Sequence, residues 1–250
     1  DNLWEGNNVT PLVNGEGAYP VMLDAIEQAT SSVLLMTYIL RMDVVGRGFV
    51  DALQRACSRG VRVVVLIDGI GYLYSWPRAS RALRKAGIEA ATFLPPGFLP
   101  PSGLINLRNH RKLLVADGVV AFTGGMNIAA YHCIESAPQG GTADMHFMLR
   151  GPVVGDLTRH FIDTWEFVKG ERLQVESKCE SEGSASCRML VDGPDEHMDR
   201  LEMIVIGAIS SASESIDIMT PYFLPSRDMI AALKSAALKG VRVRVILPQK

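Results

Sequence analysis

Apolar side chains at 18–29 fall at helical spacing (Ala18, Met22, Ala25, Ile26 and Ala29), and the chain then passes into SVLLMTYIL, an apolar run that predicts a strand. The same order follows at once. Phe49, Leu53, Ala56 and Cys57 share one helical face, Gly60 stands at the C-terminal cap position, and VRVVVLID predicts a strand buried on both sides. RASRALRKAG and IEAATFL give helix, glycine and strand a third time. LPPGFLPPSG at 94–103 has too many prolines for a strand or helix interior and predicts a loop. Further on, DMHFMLRG predicts a strand, and GPVVGDLTRHFIDTWEFVKG predicts a helix with Pro152 in its first turn and Val154, Leu157, Phe161 and Trp165 on one face. Strands alternating with helices imply an α/β fold with helices on both faces of a sheet.

The pattern begins again after a Ser/Glu-rich stretch at 171–187, which has little to bury and predicts a linker. Gly60-Val61-Arg62-Val63 recurs as Gly240-Val241-Arg242-Val243, 180 residues on, and Val13-Asn14-Gly15 has its counterpart at Val191-Asp192-Gly193. Self-similarity on this scale predicts two related halves, of which the second is only begun. The expected division is a first domain over 1–170, the linker at 171–187, and the start of a second domain over 188–250.

Charge changes this picture little. There are 25 Lys+Arg against 27 Asp+Glu, so no general pull toward nucleic acid is expected and any anion site must be local. The apolar runs, such as VLLMTYIL, are well short of the roughly 20 residues that span a bilayer. Cys57, Cys133, Cys179 and Cys187 have no histidine companions at zinc-ligand spacing, so no metal is expected, and a Cys179–Cys187 disulfide is left open. The chain starts at Asp1 with no signal-like segment, as expected for a processed form or a piece of a longer protein.

Candidate chemistry concentrates in NHRKLLVADGVVAFTGGMN, residues 109–127. Read as a strand, NHRKLLVA projects His110 and Lys112 from one face. Asp117-Gly118 between two apolar runs predicts a two-residue hairpin, which returns GGMN to the level of His110. Gly124 and Gly125 are expected to bare backbone N–H groups, and Asn127 to offer an amide at the start of a helix, where the dipole favours an anion. Together they predict a phosphate pocket: Lys112 supplies a charge, Asn127 and the backbone supply donors, and His110 supplies a nucleophile or proton carrier. Each residue alone has an ordinary structural use. Their joint occurrence, five residue types over 18 positions, points to chemistry. Neighbouring His132 and Cys133 diverge by about 100° on a helix and do not make a thiol–imidazole pair. His146 and His160 read as packing or surface residues, and His197 as the start of a helix. Exposed Phe98 and Leu99 in the proline loop could dip into a membrane interface.

The spacing His-x-Lys-x4-Asp-x6-Gly-Gly-x-Asn resembles the HKD motif of the phospholipase D superfamily. The longer phrase INLRNHRKLLVADGVVAFTGGMNIA, with GPVV…LTRHFIDTWEF and MTPYFLP, is similar to bacterial cardiolipin synthases, over 13–169 for a first half and 188–250 for the opening of a second. The resemblance implies a phospholipase D-like α/β/α sandwich with a mixed central sheet. It implies a phosphatidyl transferase acting on phosphatidylglycerol through a phosphohistidine, with no cofactor and no metal. His110 is then the nucleophile, Lys112 and Asn127 hold phosphate oxygens with Gly124 and Gly125, and Asp117 belongs to the catalytic set as an orienting group. Tyr222 and Phe223 are expected to line a lipid cleft. Phospholipid and a membrane surface are the expected partners, nucleic acid is not, and the setting is bacterial and membrane-associated, peripheral in this segment. Only one HKD motif is present, so a second must come from a further C-terminal half or from a second chain. Two other readings stay open at this point: a phospholipase D-like phosphodiesterase that hydrolyses phospholipid or nucleic acid, and a non-catalytic lipid- or phosphate-binding module.

Overall fold

The computed structural model describes residues 2–71, 78–94, 109–137, 140–191 and 200–247. The chain divides into two compact units, Asp1–Met189 and Leu190–Lys250. The first contains β1 (Trp4–Val13), α1 (Asn14–Gln28), β2 (Ser32–Thr37), α2 (Val44–Ser58), β3 (Arg62–Asp68), α3 (Ala79–Lys85), β4 (Glu89–Phe93), β5 (Leu113–Ala116), β6 (Val120–Gly124), β7 (Met145–Arg150), α4 (Val153–Lys169) and β8 (Ala185–Cys187). All eight strands join one mixed sheet in the order β4-β3-β2-β5-β6-β7-β1-β8. β2, β3 and β4 run parallel, and every pairing from β2–β5 outward to β1–β8 is antiparallel.

Period-two alternation sorts the strand residues into two cores. Val33, Leu35, Val63, Val65, Ile67, Leu114 and Phe122 pack with α1, α2 and α3 on one face. Leu34, Met36, Val64, Leu66, Leu113, Val115 and Ala121 pack on the other against Val154, Leu157, Phe161 and Trp165 of α4. This is the α/β/α sandwich with a mixed sheet that the pattern and the resemblance imply.

Two strands were not legible in the sequence. β1 mixes polar and apolar residues without regular alternation, and its buried Asn7 (1% exposed) shows why it belongs here. Asn7 Nδ2 donates to Trp4 O at 2.7 Å and Ala185 O at 3.2 Å, while its Oδ1 accepts from Val153 N at 2.9 Å, satisfying a first-turn amide of α4. One amide thus ties β8, β1 and α4. The segment 171–187, expected as a linker, is laid along the first unit: Leu173 is buried under α4 and Ala185–Cys187 adds the edge strand. Cys179 and Cys187 are both free thiols.

The second unit contains α5 (Arg200–Ser211), β9 (Ser215–Met219), α6 (Arg227–Leu238) and β10 (Arg242–Ile246), with β9 and β10 parallel. It repeats β2-α2-β3 down to single hydrogen bonds. α2 ends with Gly60 at φ 89° and Val61 N donating to Ala56 O at 3.1 Å; α6 ends with Gly240 at φ 93° and Val241 N donating to Ala236 O at 3.1 Å. A glycine is required in that left-handed position because a Cβ there crowds the following carbonyl. Each strand then starts on an arginine paired across to a serine, Arg62 with Ser32 and Arg242 with Ser215. Phe98, Leu99 and His197 lie outside the described residues.

Candidate active site

The C-terminal ends of β2 and β3, the entry to β5, the end of β6 and the start of β7 meet at one end of the first unit's sheet. Ligands of open α/β sheets gather at this end of the parallel strands. His110 and Lys112 precede β5, and their parity is that of Leu114, which faces the α1–α2 side.

The peptide before His110 is fixed from two strands. Asp68, 1% exposed at the end of β3, accepts from Asn109 N at 2.9 Å through Oδ2 and from Ile70 N at 2.8 Å and Gly71 N at 3.3 Å through Oδ1. Buried Asn109 donates from Nδ2 to Met36 Sδ of β2 at 2.9 Å. His110 is thereby presented with its ring against Tyr38, centroids 4.7 Å apart at 51°.

Lys112 is 4% exposed, and its Nζ donates to His110 O at 2.6 Å. The same Nζ lies 3.1 Å from His110 Nδ1, 3.3 Å from Nε2 and 5.3 Å from the Tyr38 ring centre. Burial pushes Lys112 down to about 8, against the raising charges of Asp144 and Asp68. Burial and the Lys112 charge both hold His110 below the ordinary imidazole value, with Asp68 opposing. The arrangement therefore favours a neutral imidazole beside an ammonium at pH 7. The first can offer a lone pair to an electrophile, and the second a positive charge to an anionic group.

Asn127 joins this end through residues 38 and 39. Tyr38 faces His110, and the next amide, Ile39 N, donates to Asn127 Oδ1 at 3.3 Å. The expected helix after Asn127 is not there: Ile128 bridges to Leu40, and a single 3-10 turn spans Ala130–His132. No helix dipole therefore contributes at Asn127. Nor is Gly125 a bare donor, because its N–H bonds Met145 O at 3.2 Å. Both glycines are also closely packed. A Cβ on Gly124 would stand 2.6 Å from Met145 O and 2.7 Å from His146 Cα, and one on Gly125 would strike the Asp144 carboxylate.

Asp117 also requires correction as a member of the catalytic set. The turn forms as the sequence predicts, with Asp117 and Gly118 at φ 53° and 63° and Val119 N donating to Ala116 O at 3.0 Å. That turn is at the other end of the hairpin, and seven residues at about 3.3 Å each place it about 20 Å from His110. There its Oδ2 accepts from Thr30 N (2.8 Å) and Thr30 Oγ1 (3.0 Å), and its Oδ1 from Ser31 N (2.8 Å), Ser31 Oγ (2.9 Å) and Ser32 N (2.9 Å). Partial burial raises its pKa, but these amide and hydroxyl donors outweigh it and bring Asp117 to about 2. Its work is to fasten the α1–β2 connection to the hairpin.

Sequence reasoning missed Tyr38, Asp68, Asp144 and His132. An acid ending the apolar run VRVVVLID was a readable signal for Asp68; the others had none. His146, packed against Gly124, and His160 on α4 are held near 4, mainly by burial. Cys133 lies against Gly15, and the buried His132 ring meets Asn127 N and Thr142 O. Tyr222 (82% exposed) and half-buried Phe223 belong to the second unit. Among the described residues no helix is long and apolar enough to cross a membrane.

Residues 22–134 and 205–250 match the family described as "Cardiolipin synthase, PLD-like domain". A cardiolipin synthase of Geobacillus thermodenitrificans is 34% identical over 247 residues, covering 96% of this chain and 49% of that protein. One from Alkalihalophilus pseudofirmus is 35% identical over 247 residues, covering 96% and 48%. The chain spans about half the length of these curated relatives. Among solved structures, a phosphatidylserine synthase of Haemophilus influenzae shares the fold with a TM-score of 0.67 at 12% identity, over 96% of this chain and 61% of that one.

Proposed function

Because the chain belongs to the phospholipase D-like family of the cardiolipin synthase description, we propose that it supplies one catalytic motif of a phosphatidyl transferase. His110 attacks the phosphorus of phosphatidylglycerol. A P–N bond forms, the bond to the headgroup glycerol oxygen breaks, and that oxygen leaves with a proton from a second histidine. The hydroxyl of another phosphatidylglycerol then gives its proton to that second histidine and attacks phosphorus. The P–N bond breaks, cardiolipin is released and His110 is free again. Lys112 and Asn127 hold the phosphoryl oxygens through both steps, a charge-stabilising and positioning role. The site works at a membrane surface.

The observation that carries this reading is the His110 imidazole held 3.1 Å from the buried Lys112 ammonium. His-x-Lys-x4-Asp occurs once in the 250 residues, so the second histidine comes from a further stretch of the protein or from a second chain. The test is cardiolipin formation on phosphatidylglycerol vesicles by the full-length protein and its His110→Ala variant. Removal of the nucleophile is expected to lower turnover by about a thousandfold or more. Undiminished turnover removes His110 from the mechanism, and phosphatidic acid as the sole product makes water the acceptor.

A further inference from the structure

We infer that Tyr19 and His132 are positioning residues that hold Asn127 from both sides of its peptide, an inference that rests on the phosphate-binding role proposed for Asn127. Tyr19, on the buried face of α1, donates from its hydroxyl to Asn127 O at 2.7 Å, with Ala129 O 3.0 Å away, and receives Ala129 N at 3.4 Å. On the other side Asn127 N donates to His132 Nε2 at 3.3 Å. That contact fixes the tautomer: Nε2 is the acceptor, so the proton sits on Nδ1 and is donated to Thr142 O at 3.2 Å. His132 is 3% exposed, and burial foremost keeps its pKa below the ordinary imidazole value, so the acceptor stays available at pH 7.

The side chain is held at both ends as well. Its Oδ1 receives Ile39 N at 3.3 Å, and its Nδ2 donates to Tyr131 Oη at 3.1 Å. Tyr131 in turn rests on the His132 ring, centroids 4.4 Å apart. Nδ2 carries two hydrogens, and Tyr131 takes one, so the other has a fixed direction for a phosphoryl oxygen. No helix starts at Asn127, so this clamp replaces the rigidity that a helix would have given it. A donor already aimed at the phosphate needs no reordering as charge develops on the oxygens, and that is where its contribution to rate lies.

The experiment is a set of double-mutant cycles in the full-length protein, with kcat and KM measured on phosphatidylglycerol vesicles and thermal unfolding in parallel. Tyr19→Phe removes only a hydroxyl. His132→Asn keeps an N–H for Thr142 but withdraws the acceptor for Asn127, and His132→Gln restores an acceptor at the Nε2 position. Tyr19→Phe and His132→Asn should each lower kcat about tenfold with KM within about twofold, and His132→Gln should recover most of that loss. In an Asn127→Ala background neither should lower kcat further, because the group they position is gone. The inference is overturned if their losses multiply with that of Asn127→Ala, or if both keep wild-type kcat while Asn127→Ala is impaired. A wild-type kcat for Asn127→Ala would overturn the underlying role of Asn127 itself. Should His132→Asn fail to fold, the Tyr19→Phe cycle decides alone.

Discussion

Asp117→Asn separates the fold from the chemistry of the motif. The carboxylate accepts from three backbone amides and two hydroxyls of residues 30–32. An amide of the same shape has one oxygen to offer and turns its NH2 toward donors. In the folded state Asp117 titrates at about 2, against 3.8 ordinarily. A shift of that size corresponds to about 2.5 kcal/mol, which solvent screening of this partly exposed group reduces to about 1–2 kcal/mol. The folded pKa is depressed, so this stability is fully present above pH 4 and is lost as pH falls toward 2. Urea unfolding of wild type and variant should differ by about 1–2 kcal/mol at pH 7, hold that difference to about pH 4, and converge below it. In folded variant kcat should stay within about threefold, given the distance of about 20 Å to His110. A loss of a hundredfold or more in kcat at unchanged stability would refute the assignment of Asp117 to the fold.

Lys112 titrates at about 8, so kcat should decline as pH rises through that value, and Lys112→Arg, whose charge persists, should lose the alkaline limb whatever its residual rate. His146 and His160 are neutral in the fold and held near 4, so they contribute stability above pH 6.5 that is lost as pH falls toward 4. The slope of unfolding free energy against pH in that window should drop by about one proton, about 1.4 kcal/mol per pH unit, in His160→Leu. Gly124→Ala should cost about 2 kcal/mol or more, because its Cβ meets main-chain atoms of β7 that cannot rotate away. Gly48→Ala, where a Cβ meets open space on α2, should be neutral or stabilise by up to about 1 kcal/mol in the same thermal assay.

The parts of the fold that bury continuous apolar runs were readable: β2, β3 and their helices, and the α4 stripe from Val154 to Trp165. β1 and β8 were not, because their place is set by Asn7 bonding three elements far apart in sequence. At the site, alternation correctly puts His110 and Lys112 together, since a period of two needs only local backbone. It also brings Gly124 back beside this end, but it cannot say which N–H groups the sheet itself will use. Asp117 reads as catalytic only because it is near His110 in sequence; the strand between them separates the two in space. Asp68 and Asp144 act on the site across about 40 and about 30 residues of chain, distances over which spacing carries no information.

The proposed reaction requires phosphorus to become bonded to His110. The full-length protein, mixed with phosphatidylglycerol vesicles and quenched in alkali within the first turnovers, should yield a His110 peptide heavier by one phosphatidyl group, absent in His110→Gln. A phosphatidyl adduct at any other residue, with the His110 peptide unmodified throughout turnover, would contradict the account.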